Sequence, residues 1–356
     1  MKNIFRILAV VALTMVMSLP VALAGNDNRR GTAGAPELLI NPWARSAGWG
    51  GVNTACARGL DAFYTNVAGL GFVQNAEFGY SNTMYLGGKS GLVSGATINT
   101  FGLAKSIFDN KGTLAFYVMS MNFGDIEVTS VESPDAISGT YSPSVMNLNV
   151  AYAHNFTGSI HGGVNIKVIS ESTDNVSATG FGIDAGIQYV TGENDELKFG
   201  ISLKNIGTTM HFDGTGLSLQ FVNDAGNNVT VEYRAAEMEL PTCLNIGLSY
   251  DFLFEKWNQR FTLAGNFTSN AFLKDNFILG GEYSLLDRFM LRGAFIYQND
   301  IFDANNRSTF NTGLACGASF AIPIDKEKGS EVLIDYSYRS AYPMKGTHAI
   351  GATFKL

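Results

Sequence analysis

Four histidines, His154, His161, His211 and His348, are the obvious residues for metal or acid–base chemistry, and they lie far apart in the chain. A metal site needs several ligands converging on one point. Histidines spread over separate segments do not provide that. Cys56, Cys243 and Cys316 form no C-x-x-C pair, so neither a zinc knuckle nor a redox motif is encoded. H-E-x-x-H, G-x-S-x-G and P-loop patterns are missing from the sequence, which removes the commonest hydrolase and nucleotide sites. Glu193, Asp195 and Glu196 bring carboxylates together, but in a stretch that reads as a solvated turn. The charges that stand out are Asp184, Asp251, Glu282, Arg292, Asp335 and Arg339, each set among small and apolar residues. Charges removed from water must be paired, so these six predict salt bridges that anchor a neighbouring segment, not catalysis. The expectation is a non-enzyme with no metal and no cofactor.

What positions those six is a period of two. Leu244, Ile246, Leu248, Tyr250 and Phe252 alternate with Asn245, Gly247, Ser249 and Asp251, and Phe181, Ile183, Ala185 and Ile187 alternate with Gly182, Asp184 and Gly186. Alternation of this kind is the signature of strands. It recurs in about 14 segments between residues 75 and 356, each at or above the roughly 9–11 residues of a tilted membrane strand. The small polar face, which carries the six charges and Cys243, would line a lumen. The large apolar face, which carries Cys316, would meet lipid. Tyr80, Tyr85, Tyr152, Tyr189, Tyr250, Tyr297 and Tyr338 would form interfacial girdles. Connection lengths agree. Residues 109–111, 157–159, 192–196, 255–258, 286–287 and 325–329 are short links on one parity, whereas 125–145, 208–240 and 299–308 are long links on the other. Outer-membrane barrels sort their turns in this way.

Composition agrees with that reading. Only 15% of residues are charged, against about 25% in soluble domains. A net charge of −7 without any basic run excludes a nucleic-acid partner. Residues 1–24 read as a signal peptide, with Lys2 and Arg6 ahead of an apolar run that ends in Ala22-Leu23-Ala24, and mature protein is expected to start at Gly25. Residues 25–74 do not alternate and contain Trp43, Trp49, Phe63 and Tyr64. Such rings need burial, and a barrel of about 14 strands has room for a plug. The expected organisation is therefore signal peptide 1–24, plug or hatch 25–74 and transmembrane barrel 75–356: an all-β, antiparallel outer-membrane barrel with its N-terminal plug in the lumen.

Gly34-Ala35-Pro36-Glu37-Leu38-Leu39-Ile40, then Pro42-Trp43-Ala44-Arg45 and the glycines from Gly48 to Gly51, resemble the opening of PorV/PorQ-family proteins, barrels of the FadL-like superfamily tied to type IX secretion in Bacteroidota. Asn66-Val67-Ala68-Gly69-Leu70 resembles the superfamily's Asn-Pro-Ala-Gly-Leu hatch motif, with Val67 in place of proline. Pro36, Pro42, Trp43, Arg45, Asn66, Ala68 and Gly69 are the hatch residues this resemblance implies. Leu203-Lys204-Asn205-Ile206-Gly207 and Gly280-Gly281-Glu282-Tyr283 are similar to later family segments.

Two functions follow as expectations. The resemblance implies a type IX component that binds the translocon and secreted cargo and hands cargo to surface-attachment machinery. In that reading the outer loops are the partner surface, with Leu219, Phe221, Val229 and Tyr233 on a hairpin turning at 224–227, and Ile126, Val128, Val131, Ile137 and Tyr141 in the loop 125–145. That hairpin is expected to cover the barrel mouth. The alternative is a FadL-like transporter of hydrophobic small molecules, with Gly124 marking a kink in the third strand.

Overall fold

A computed structural model describes residues 29–87, 96–129, 135–325 and 329–356. The signal peptide and Val131 lie outside the described residues. Fourteen strands form one closed antiparallel sheet: β1 (Ala76–Tyr85), β2 (Ala96–Ile107), β3 (Gly112–Asn122), β4 (Ser144–Asn155), β5 (Ile160–Thr173), β6 (Val176–Thr191), β7 (Leu197–Gly207), β8 (Cys243–Phe254), β9 (Gln259–Asn270), β10 (Asn276–Leu285), β11 (Phe289–Gln298), β12 (Asn311–Asp325), β13 (Ser330–Ala341) and β14 (Thr347–Lys355). Each strand pairs with its sequence neighbour, and β14 closes on β1 with Phe354 opposite Phe78. Closure leaves no unpaired sheet edge, which is what allows strands to stand in a bilayer.

The alternation resolves into two faces. Leu279, Leu291, Leu314, Ile187 and Phe181 are each more than half exposed on the outer wall. A contiguous apolar surface of this extent belongs in lipid, not water. Cys316 is on that face and Cys243 is buried on the inner one, as the alternation predicts. Two of the expected girdle tyrosines differ. Tyr85 points inward because β1 reaches it on the lumen parity after Met84. Tyr80 sits at mid-strand, opposite Phe101 and Ala352.

The lumen holds six short helical turns between Pro36 and Phe72. None is long enough to be stable alone, and packing against the wall fixes them. Trp43, Leu60, Phe63 and Leu70 form one apolar core with the inward-facing Ile98, Tyr117 and Met119. Trp49 and Val52 form another with Ile278 and Ile296. The inner face is therefore polar only in part, and it is apolar where the rings of the lumenal segment press on it.

The third strand shows no kink at Gly124. β3 pairs without interruption on both sides up to Asn122, and Gly124, at φ +77°, belongs to the loop that follows. The irregularity lies elsewhere. Between β6 and β7 the register shifts past Asp184, and Asn205 takes a left-handed conformation at φ +61°. The fifth connection, expected on the long-loop parity, shrinks to Asp174 and Asn175 because β5 and β6 extend beyond their neighbours.

Candidate functional site in the lumen and outer mouth

The lumenal segment begins at the end of the barrel that carries the long connections. There Arg29 pairs with Glu239 at 2.5 Å and lies over the Phe272 ring, while the Gly34 amide donates to the Glu239 carbonyl. Ala35 and Leu38 pack with Ile169, Met210 and Leu240 at the same end. The chain then descends and leaves near the bases of β1 and β5, where Leu60 N–H donates to Glu77 and the Phe72 ring stacks on His161. It thus runs the length of the lumen.

Small side chains in the wall are its sockets. A Cβ on Gly102 would lie 2.8 Å from Trp43, and one on Gly79 would lie 2.6 Å from Leu60. At Gly163 and Gly200 it would meet backbone of Val67 and Thr54 at 2.8 and 2.4 Å. These clashes explain why much of the inner face is glycine.

Asn66 is the main polar fastening. Its amide group donates to the carbonyls of Thr54, Ile187 and Ile201 at 2.9, 3.0 and 3.3 Å, and its oxygen accepts the Ala68 N–H at 3.2 Å. It thereby caps the turn Val67–Phe72 and ties it to β6 and β7. That cap does locally what proline would do through a fixed φ, so the turn forms with Val67. Ala68 is fully buried, and a Cβ at Gly69 would meet the Ala57 carbonyl at 2.2 Å. Further fastenings run from Gln188 to the Thr54 and Ala57 carbonyls, from the Ala44 amide to Ser81, and from Thr83 to the Pro42 carbonyl.

Five of the six lumen charges pair directly with wall residues, and Glu282 and Asp335 also act through space on Arg45 of the lumenal segment. Asp184 holds Lys167 at 2.8 Å and accepts the Asn205 amide that heads the β6–β7 irregularity. Asp251 pairs with Lys198 and accepts from Thr262. Glu282 binds Arg292 at 2.5 Å and Arg260 at 3.0 Å, while Asp335 meets Ser319 and, at 3.9 Å, Arg292. All these pairs join strand to strand. On the lumenal segment Arg45 reaches Asp61 at 3.7 Å. Burial pushes the Asp61 carboxyl up to about 7, outweighing Arg45. Glu37 is likewise raised to about 7 by burial and then by nearby Glu171, and the Cys56 thiol rises to about 11 by burial.

Above the lumenal segment a cavity of about 400 Å³ opens at the long-loop end. Leu39, Ile40, Gly50 and Tyr64 floor it, and Lys204, Asn245, Asn270, Gln298 and Arg339 stand in its walls. The signal for Lys204 was in the sequence, since Leu197, Phe199, Ile201 and Leu203 alternate with Lys198, Gly200, Ser202 and Lys204. The loop hairpin pairs Ser218–Val222 with Asn228–Glu232, and none of its residues lines the cavity. Its turn at 223–227 is capped by Asn223. Leu219, Phe221 and Tyr233 are about half or more exposed and Val229 partly so. The turn that leads into the hairpin is tied to the β5–β6 connection by the Gly216 amide, which donates to the Asn175 carbonyl. Ile126, Val128 and Ile137 are exposed in their own loop.

Closed wall, lipid-facing belt and filled lumen define an outer-membrane β-barrel with an internal plug. No protein-family model matches the chain, and no curated protein matches it in sequence. Among solved structures it is similar to the monoaromatic hydrocarbon channel TodX in a deltaS2S3 mutant form, with a TM-score of 0.55 at 12% identity over 87% of this chain and 97% of that one. It is similar also to CymD, another monoaromatic hydrocarbon channel, with a TM-score of 0.52 at 12% identity over 89% and 97%. The shared feature is the fold.

Proposed function

We propose that this chain is a plugged outer-membrane channel that admits small molecules from outside. The observation that carries this reading is the ligand-sized cavity at the outer mouth, floored by a lumenal segment that blocks the way down. The FadL-like fold supports it. The test is conductance and solute uptake in planar bilayers and proteoliposomes, comparing the intact chain with one lacking residues 34–70. The intact barrel is expected to be nearly closed and the deletion to conduct freely. Equal conductance in a folded deletion would refute the plug.

A second reading is supported by the PorV/PorQ-like opening and the exposed hairpin: a type IX component that docks translocon or cargo on its outer loops. Apolar burial contributes about 25 cal/mol per Å², so Phe221 and Tyr233 offer substantial contact energy. Phe221→Ser with Tyr233→Ser leaves the barrel folded and, under this reading, lowers translocon recovery from mild-detergent outer membranes. Unchanged recovery, or no translocon recovered with the unsubstituted protein, removes it.

A further inference from the structure

Lys167, Lys198, Lys204, Arg292 and Arg339 face the lumen and fall into two sets, and all are buried except Arg339, which is half-buried. Lys167, Lys198 and Arg292 each hold a carboxylate, as charges out of water must. Lys204 and Arg339 do not. Lys204 is 5% exposed, and its ammonium lies 3.7 Å over the Tyr64 ring without a direct hydrogen bond or ion pair. The nearby Asp184 is held directly by Lys167 and only at longer range by Lys204. The Arg339 Nε is buried without an acceptor, and its guanidinium forms no ion pair among the described residues. Both unpaired cations line the same cavity, and no Asp or Glu lines it.

The remaining walls are mixed: Leu273, Ile278, Ile296, Ile301 and Phe310 stand beside polar groups. Asn245, Thr268, Asn270 and Gln298 present amide and hydroxyl groups, and the Asn311 side-chain oxygen is buried with no donor. At about 400 Å³ the space suits a small metabolite. A hydrocarbon entering it would touch the apolar side chains but leave both charges unanswered. An anion with hydroxyl groups would answer both cations and hydrogen-bond to the walls, and charge-assisted bonds are the strong ones. Tyr64, whose hydroxyl donates to the Leu39 carbonyl at 2.6 Å, would then hold Lys204 from the plug side, so the ligand would touch wall and plug together.

We infer that the outer-mouth cavity is a binding site for a small hydroxylated organic anion, of the polyhydroxy carboxylate class, held between Lys204 and Arg339. This deepens the channel reading and rests on it for the direction of entry. The experiment is calorimetric titration of the full-length protein in detergent with gluconate, glucose and toluene as probes. Gluconate is expected to bind, glucose to bind at least about tenfold more weakly, and toluene not to bind at this site. Lys204→Met and Arg339→Gln should each weaken gluconate by about tenfold or more, the loss typical of a hydrogen bond to a charged group. Heat-modifiable migration checks their folding, and Lys204→Arg should retain binding. Equal affinity for gluconate and glucose overturns the inference without any variant. So does the absence of gluconate binding at millimolar concentration, or undiminished binding in a folded double variant. Proteoliposome uptake separates the two ideas: charge-selective binding without uptake refutes the channel and leaves the site, whereas uptake with charge-blind binding does the reverse.

Discussion

Asn66 does more for the lumen than any of the charges around it. Its amide reaches three carbonyls, one on its own segment and two on strands β6 and β7. In Asn66→Ala the Thr54 carbonyl keeps the Gln188 donor and Ile187 and Ile201 stay within the strand ladder, so what is lost is the set of hydrogen bonds itself, a net of about 0.5–1.5 kcal/mol each. The expected outcome is a barrel that still forms, with the plug loosened. Thermal unfolding should fall by several degrees, and collisional quenching of Trp43 should rise in a background where Trp49 and Trp257 are phenylalanine. Trp43 quenching that matches the unsubstituted protein would show that apolar packing alone holds the segment. The importance of Asn66 was legible as a motif resemblance. Its partners were not, because they lie 121 and 135 residues away and no local pattern reports such contacts. Lys204 carries no motif signal of its own, and only the plain alternation of β7 puts its side chain inside.

At the scale of elements, alternation predicted the strands well, since a period of two survives wherever one face meets lipid and the other does not. It failed where backbone geometry departs from the pleat. The left-handed Asn205 breaks parity between β6 and β7, and the long β5 and β6 absorb what looked like a loop. The route of the lumenal segment had no period to read. That segment carries its own pH response. Glu37 and Asp61 have folded-state values raised to about 7 from 4.5 and 3.8. A raised carboxyl favours the folded state while protonated, so its contribution is full below the unfolded value and is lost as pH rises through about 7. Plug docking should therefore be firmest near pH 4 and weaken progressively up to about pH 7. Single-channel recordings should show openings becoming more frequent over that window, and Asp61→Asn with Glu37→Gln should flatten the trend. A channel that opens more often as pH falls contradicts this assignment.

For the whole molecule, the two ends of the barrel are unlike, and that asymmetry fixes its orientation. Short turns such as 156–159 mark one end, while the hairpin at 218–232, the cavity and the start of the described chain share the other. Outer-membrane barrels keep short turns on the periplasmic side and long connections outside, so the cavity should face the medium. The exposed positions Ala225, at the hairpin tip, and Thr157, in a short turn, report on opposite ends. In a background with Cys56, Cys243 and Cys316 changed to serine, Ala225→Cys should react in intact cells with a maleimide too large for porins. Thr157→Cys should react only once the outer membrane is permeabilised. The plug makes this test stringent, because a filled lumen gives the reagent no route from one end to the other. Labelling at Thr157→Cys in intact cells, with protection of Ala225→Cys, would invert the barrel, turn the cavity toward the periplasm and make uptake from the medium through that cavity impossible.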